Sequence, residues 1–209
     1  MIEDLRALVV AEEFDYPLLM NCFKAYSKPR DKVTRWLKSG AIIRVKKGLY
    51  VFGEKYRRGP ICLSALANLI YGPSYISKEY ALGFYGLIPE RVELITSMTT
   101  QKSKMFPTPV GNFSYTHLDL RKYTPGICIK ELDDAHFCLI ASPEKALADL
   151  IAGQKSITSR DELLEHLVEN MRIDEDALRE LHRVHLKAIA KAYQNQAVQW
   201  LYEIVGGKK

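Results

Sequence analysis

The sequence predicts an α+β protein, with an N-terminal module of short helices and a hairpin, a mixed α/β middle, and a helical C-terminal region. Three observations carry that expectation. Basic charge crowds into the first 58 residues, where helical apolar spacing gives way to a two-strand pattern. Between residues 92 and 140 the chain is β-branched and alternates apolar with polar positions. From Ser142 onward the apolar residues recur at helical intervals. The expected division is 1–58, 59–155 and 156–209, the last packed on the middle domain.

Hydrophobic residues make up 47% of the 209 and charged residues 26%, and no low-complexity tract occurs, which is the composition of a folded globular chain. No apolar run approaches the roughly 18 residues that a membrane span requires. The opening Met1-Ile2-Glu3-Asp4 is acidic where a secretory leader is basic, and Arg6 interrupts the short run Leu5–Val10, so a cytoplasmic location is expected. Cys22, Cys62, Cys128 and Cys138 form no C-x-x-C pair and are expected to pack as small apolar side chains. His182 and His185 share a helical face, but nothing nearby in sequence completes a ligand set, so neither a metal nor a cofactor is expected.

Charge is distributed unevenly. Residues 1–58 hold 13 basic and 7 acidic side chains, a local +6, whereas residues 59–209 hold 17 and 18. Within 24–58 there are 12 basic residues against Asp31 and Glu54. Such a block is what a surface facing phosphates requires, although a solvated basic face has the same composition.

The local pattern separates the two. Ile2, Leu5, Leu8 and Val9 have helical spacing and predict a first helix that ends in the polar pair Glu12-Glu13. Asp15 is placed to cap a second helix with Pro17 in its first turn. Pro29 opens a third, running to about Ser39 and closed by Gly40. In that helix Val33, Trp36 and Leu37 face inward, which turns Arg30, Lys32, Thr34, Arg35 and Lys38 toward solvent, with Lys28 at its start. Ala41–Lys46 and Leu49–Phe52 read as two strands joined by Lys47-Gly48. Two helices joined by a short turn, then a basic hairpin, describe a winged helix-turn-helix whose third helix enters the major groove. The DNA-contacting set predicted from this is Lys28, Arg30, Lys32, Thr34, Arg35 and Lys38 from the helix, with Arg44, Lys46 and Lys47 from the hairpin. Hairpins of this kind also bind proteins in place of DNA.

The residues Gly40-x-Ile42-x-Arg44-Val45-Lys46-Lys47-Gly48-Leu49-Tyr50 resemble the wing of AbiEi-type antitoxins of type IV (abortive infection) toxin–antitoxin pairs. Tyr75-Ile76-Ser77 leading into Ala81-Leu82-x-x-Tyr85-Gly86-Leu87 is similar to that family's central helix, and Ser142-Pro143-Glu144-Lys145-Ala146-Leu147-Ala148-Asp149-Leu150 resembles its later S-P-E-[KR]-A-L-x-D-L segment. The resemblance implies a repressor of its own operon that also neutralises a cognate nucleotidyltransferase-like toxin, functionally rather than through a stable complex.

Past a hinge at Arg57-Arg58-Gly59-Pro60, Ser77 is expected to cap a helix ending at Gly86. Val92–Thr100, Phe113–Leu118, and the hairpin Ile127–Leu132 with His136–Ile140 predict a sheet of four or more strands. Gln101–Lys104 has the charge to touch DNA or a partner, but a four-residue basic loop is more often a solvated connection. Ser142-Pro143 starts a helix with Glu144 in its first turn. Leu163, Leu164, Leu167 and Val168, then Leu178, Leu181, Val184, Ile189 and Ala192, predict further core-facing helices. There is no phosphate-binding glycine loop, no G-x-S-x-G and no H-E-x-x-H, and Asp149, Asp161 and Glu165 read as surface charges, so no catalytic residue is expected. Two alternatives stay open: a regulator whose second domain senses a small ligand, and a DNA-acting enzyme with dispersed acidic residues. The expected partner is double-stranded operator DNA with inverted repeats, bound by a chain that is a monomer or weak dimer in solution.

Overall fold

The computed structural model describes residues 2–207. They are 45% helical and 22% strand, which makes the chain a mixed α+β protein as predicted. No described helix is long and apolar enough to cross a membrane.

In α1 (Ile2–Leu8), Ile2 and Leu5 are buried and Val9 follows them inward, whereas Leu8, expected on the same face, is exposed. The Glu12-Glu13 pair does not end the helix. It leads into β1 (Glu13–Asp15), a strand of three residues that the polar side chains concealed. Asp15 caps α2 (Tyr16–Cys22) as predicted, its carboxylate accepting from the Leu18 amide at 2.9 Å. Next come α3 (Pro29–Lys38), β2 (Ile42–Lys46) and β3 (Leu49–Phe52). The three strands form an antiparallel sheet in the order β1-β3-β2. Phe14, Leu19, Phe23, Val33, Trp36, Tyr50 and Phe52 fill the core of this unit, with the Phe23 and Trp36 rings 4.8 Å apart.

Arg6, which in sequence only interrupts an apolar run, locks the unit. Its guanidinium donates to Glu12 at 2.7 Å and to the carbonyls of Val9, Val10 and Ala11, and lies 4.2 Å from the Phe52 ring centre. The other oxygen of Glu12 accepts from the amides of Arg58 and Gly59. A buried ion pair of this kind is tolerable because nearly every lone pair and proton has a partner.

The remaining elements are α4 (Leu63–Ile70), β4 (Ser74–Ile76), α5 (Lys78–Phe84), β5 (Ile95–Thr99), β6 (Lys104–Thr108), β7 (Gly111–His117), α6 (Leu120–Tyr123), β8 (Ile127–Asp133) and β9 (His136–Ala141), followed by α7 (Pro143–Ile151), α8 (Arg160–Glu165), α9 (Glu175–Arg179), α10 (Arg183–Tyr193) and α11 (Gln196–Gly206). The sheet has six strands in the order β6-β7-β5-β4-β9-β8, parallel at β5/β7 and β4/β9 and antiparallel elsewhere. Two of these strands escaped the sequence pattern. β4 is three residues long, and β6 contains Pro107, which an edge strand accommodates because one side of its backbone needs no ladder partner. Leu163, Leu167, Leu178, Leu186, Ile189, Val198 and Leu201 from the later helices join the core beneath the sheet. Val184, predicted on that stripe, faces solvent.

At the centre lies a sealed polar cluster. Asp149 on α7, read from sequence as a surface charge, is buried; its carboxylate accepts from Tyr75 on β4 at 2.9 Å, from Ser77 at 2.6 Å, and from the Tyr193 hydroxyl on α10. Lys145, one turn earlier and fully buried, lies 3.6 Å from the carboxylate and donates to Tyr193 and to the carbonyl of Lys122. Burial brings the Lys145 pKa down to about 8, against the pull of the neighbouring carboxylate. Ser77 was expected to cap α5 and does not. Thr96 on β5 does so, accepting from the Tyr80 amide and donating to the Ser77 carbonyl, which leaves the Ser77 hydroxyl for Asp149.

The N-terminal unit and the large sheet are joined at three places. Val45, Leu49 and Val51 of the hairpin belong to the larger core. Lys46 donates to the carbonyl of Ile70 at the end of α4. The buried ring of His136 lies between Asp133, 2.6 Å from Nδ1, and Glu13 of β1, 3.1 Å from Nε2. Desolvation lowers the His136 pKa, but the hydrogen bond to Asp133 and the charges of Glu13 and Asp133 outweigh it, so the net shift is upward.

Two outcomes follow for stability. Asp149→Ala removes the acceptor shared by Tyr75, Ser77 and Tyr193 and the counter-charge of Lys145, and is expected to cost about 3–5 kcal/mol in urea unfolding, whereas Lys145→Met combined with Asp149→Leu recovers most of the loss. His136, with a raised native pKa, contributes fully below its unfolded value of about 6.5 and loses that contribution as the pH rises through the native value. Unfolding free energy is therefore expected to decline as the pH rises from about 6.5 through the raised native value, with the decline reduced in His136→Asn.

Candidate nucleic-acid interface

Helix α3 is amphipathic because Val33 and Trp36 are drawn into the core, which leaves the opposite face to the charged residues. Pro29 in its first turn needs no hydrogen-bond partner for a backbone N–H, and Lys28 occupies the cap position without a side-chain cap bond. Asp31 lies in the first turn and Arg35 and Lys38 in the last, each complementing the helix dipole. Arg30, Thr34, Arg35 and Lys38 are all exposed. Arg30, Thr34 and Lys38 succeed one another at intervals of four, so they form one row along the helix, with Arg35 beside it. The Thr34 hydroxyl donates to the Arg30 carbonyl at 3.0 Å, turned toward its own helix. Lys32 is half-buried, its ammonium about 6 Å from the ring centres of Tyr26 and Trp36. Lys28 and Arg30 border an open depression between α2 and α3 that Tyr16, Met20 and Ser27 also line.

The turn from α3 into the hairpin is tight. Gly40 takes a left-handed φ of +67°, and Gly53, at the end of the returning strand, approaches so closely that a β-carbon there would sit 1.7 Å from the Gly40 carbonyl oxygen. The amide of Gly53 donates to Ala41. β2 and β3 pair Ile43 with Val51 and Arg44 with Tyr50, and a bulge before Lys46 precedes the turn at Lys47-Gly48. That turn is held to α2, because the Gly48 carbonyl accepts from the Tyr16 amide at 2.9 Å.

The hairpin cations have different fates. Arg44 and Lys47 are exposed. Lys46 is turned inward onto the Ile70 carbonyl, and burial lowers its pKa. Among the described residues none of Arg30, Arg35, Lys38, Arg44 or Lys47 enters an ion pair, whereas Arg6, Arg172 and Arg179 all do. Unpaired cations on a rigid face are available to an external anion without first breaking an internal bond.

One neighbouring segment, Gln101–Lys104, reads in sequence mainly as a solvated connection. Tyr71 follows Ile70 in the chain; its hydroxyl donates to the Lys102 carbonyl, and the Lys104 ammonium lies 4.7 Å from the Phe106 ring centre and 5.9 Å from that of Tyr71. The segment Gln101–Lys104 is thereby tied to the end of α4, the same stretch that holds Lys46 before the hairpin turn. Only the contact between Lys46 and Ile70 reveals this, and no local pattern encodes it.

The sealed Lys145–Asp149–Tyr193 cluster has the residue types of a reactive site, but its charged side chains are shielded from solvent and directed at one another. Among the described residues no group of three or more histidine, cysteine or acidic side chains is placed to hold a metal ion. His182 and His185 stand with ring centres 5.2 Å apart. No protein-family model matches the chain, and no curated protein matches it.

Proposed function

We propose that residues 1–58 are a winged helix-turn-helix that binds double-stranded DNA, and that the chain is a cytoplasmic repressor of its own operon. The observation that carries this reading is the row Arg30, Thr34, Lys38 with Arg35, exposed and outside any ion pair among the described residues, on a helix followed directly by an anchored basic hairpin. In this reading α3 enters the major groove and Arg44 and Lys47 contact the flanking backbone, while Lys28 and Arg30 position a phosphate at the start of the helix. Lys32 supports Trp36, and Lys46 anchors the hairpin instead of contacting DNA.

The predicted behaviour is specific. The double variant Arg35→Glu, Lys38→Glu is expected to lose binding to a fragment from upstream of its gene in an electrophoretic shift, and unchanged binding sinks the assignment. With about six phosphates neutralised, log affinity falls against log salt with a slope near −5. Lys47→Ala reduces that slope by about 1, and Lys46→Met leaves it unaltered.

The antitoxin role rests on the resemblance of residues 40–50, 75–87 and 142–150 to the AbiEi-type family, and assigns toxin neutralisation to residues beyond 58. Coexpression with a neighbouring nucleotidyltransferase-like gene tests it. The DNA-binding double variant, kept full length, is expected still to rescue growth. Failure to rescue, with the variant folded, removes the division of labour.

A further inference from the structure

A cleft of about 500 Å³ opens where the end of α5, strand β8, the start of α7 and the turn from α9 into α10 meet. Its size is that of a small-molecule site, and its walls combine apolar surface from Leu87, Leu181 and Ala177 with a few convergent polar groups. Among these the donors are in excess. The Tyr85 hydroxyl oxygen is shut off from solvent and has no hydrogen-bond partner among the described residues. Burial raises its pKa, so it remains a neutral O–H donor. The Lys130 ammonium, in no ion pair among the described residues, lies 5.7 Å from the Tyr85 ring centre. His182 and His185 are exposed at the cleft, and α10, eleven residues long, begins there without a side-chain cap. The acceptors are mostly occupied: Glu144 takes the Ser142 hydroxyl at 2.7 Å and the His182 amide at 2.8 Å, which leaves exposed Glu180 at the rim.

A buried hydroxyl with no partner is an exception that calls for one, and the cation near the same ring sets the sign of the group that would satisfy both. We propose that this cleft binds a small organic anion, a single phosphate or carboxylate on a flat apolar body. The anionic group accepts from Lys130 and the histidines at the opening and, as the wall over it yields, from the Tyr85 hydroxyl, and the body lies against Leu87 and Leu181. The site draws on none of the residues assigned to DNA, so it stands or falls independently of that reading.

Titration of the full-length protein with phenyl phosphate and with benzoate, followed by thermal unfolding and calorimetry, tests the proposal and separates the two anion classes. Saturable binding of at least one, with a rise in Tm, is expected, and phenol and inorganic phosphate are each expected to bind at least about tenfold more weakly. Tyr85→Phe and Lys130→Glu should each weaken binding by about tenfold or more. Because the Tyr85 hydroxyl holds no protein partner, Tyr85→Phe should be no less stable than the parent without ligand. Absence of binding by both aromatic anions overturns the proposal, as does binding that persists unchanged in both variants. Inorganic phosphate binding as tightly as phenyl phosphate overturns the role of the apolar wall.

Discussion

The architecture of the larger unit turns on the carboxylate of Asp149. Four elements meet it: β4 through Tyr75, the entry to α5 through Ser77, α10 through Tyr193, and α7 through Lys145. Apolar packing alone would let α7 slide or rotate over the sheet at little cost, since oily contacts are not directional. A buried charge is directional, because only the arrangement that supplies its hydrogen bonds avoids stranding it. The cluster therefore selects one register for helices that hydrophobic burial merely gathers, and it keeps its charged side chains buried.

The N-terminal unit uses the same device on a smaller scale. Arg6 and Glu12 close the loop after α1 and reach forward to the amides of Arg58 and Gly59, so the first and last segments of the unit are clamped together. Its hairpin is shared property. One side contributes Ile42, Tyr50 and Phe52 to the small core, and Val45, Leu49 and Val51 contribute to the large one. The direction in which Arg44 and Lys47 point is thus set by two cores together, and the basic face behaves as part of a rigid body.

What sequence reasoning could reach was the local chemistry. Asp15 and Ser142 cap the helices they precede, and Gly40 and Gly86 take left-handed conformations just after helices, because each of these acts through backbone groups a few residues away. Strands β1 and β4 were invisible because three residues are too few to show alternation, and β6 because Pro107 argues against a strand unless its edge position is known. The exposed row on α3 was legible from a period of 3.6. The inward turn of Lys46 was not, since a lysine before a turn looks the same whether its partner is solvent or a carbonyl 24 residues away. Asp149 shows the same limit: only the fold brings Tyr75 and Tyr193 to it.

The strand order of the large sheet also has a bearing on time. β4 lies between β5 and β9, and its parallel partner arrives 64 residues later, at Ile140, while the hydroxyl that completes the Asp149 cluster belongs to residue 193. Parallel pairing across so long a stretch is slow to form, and during synthesis the edge of β4 waits unpaired. The N-terminal unit, by contrast, finds nearly all its contacts within its first fifty-nine residues. The basic face thus rests mostly on contacts close in sequence, whereas the link from Glu13 to His136 spans 123 residues and needs the last strand of the sheet.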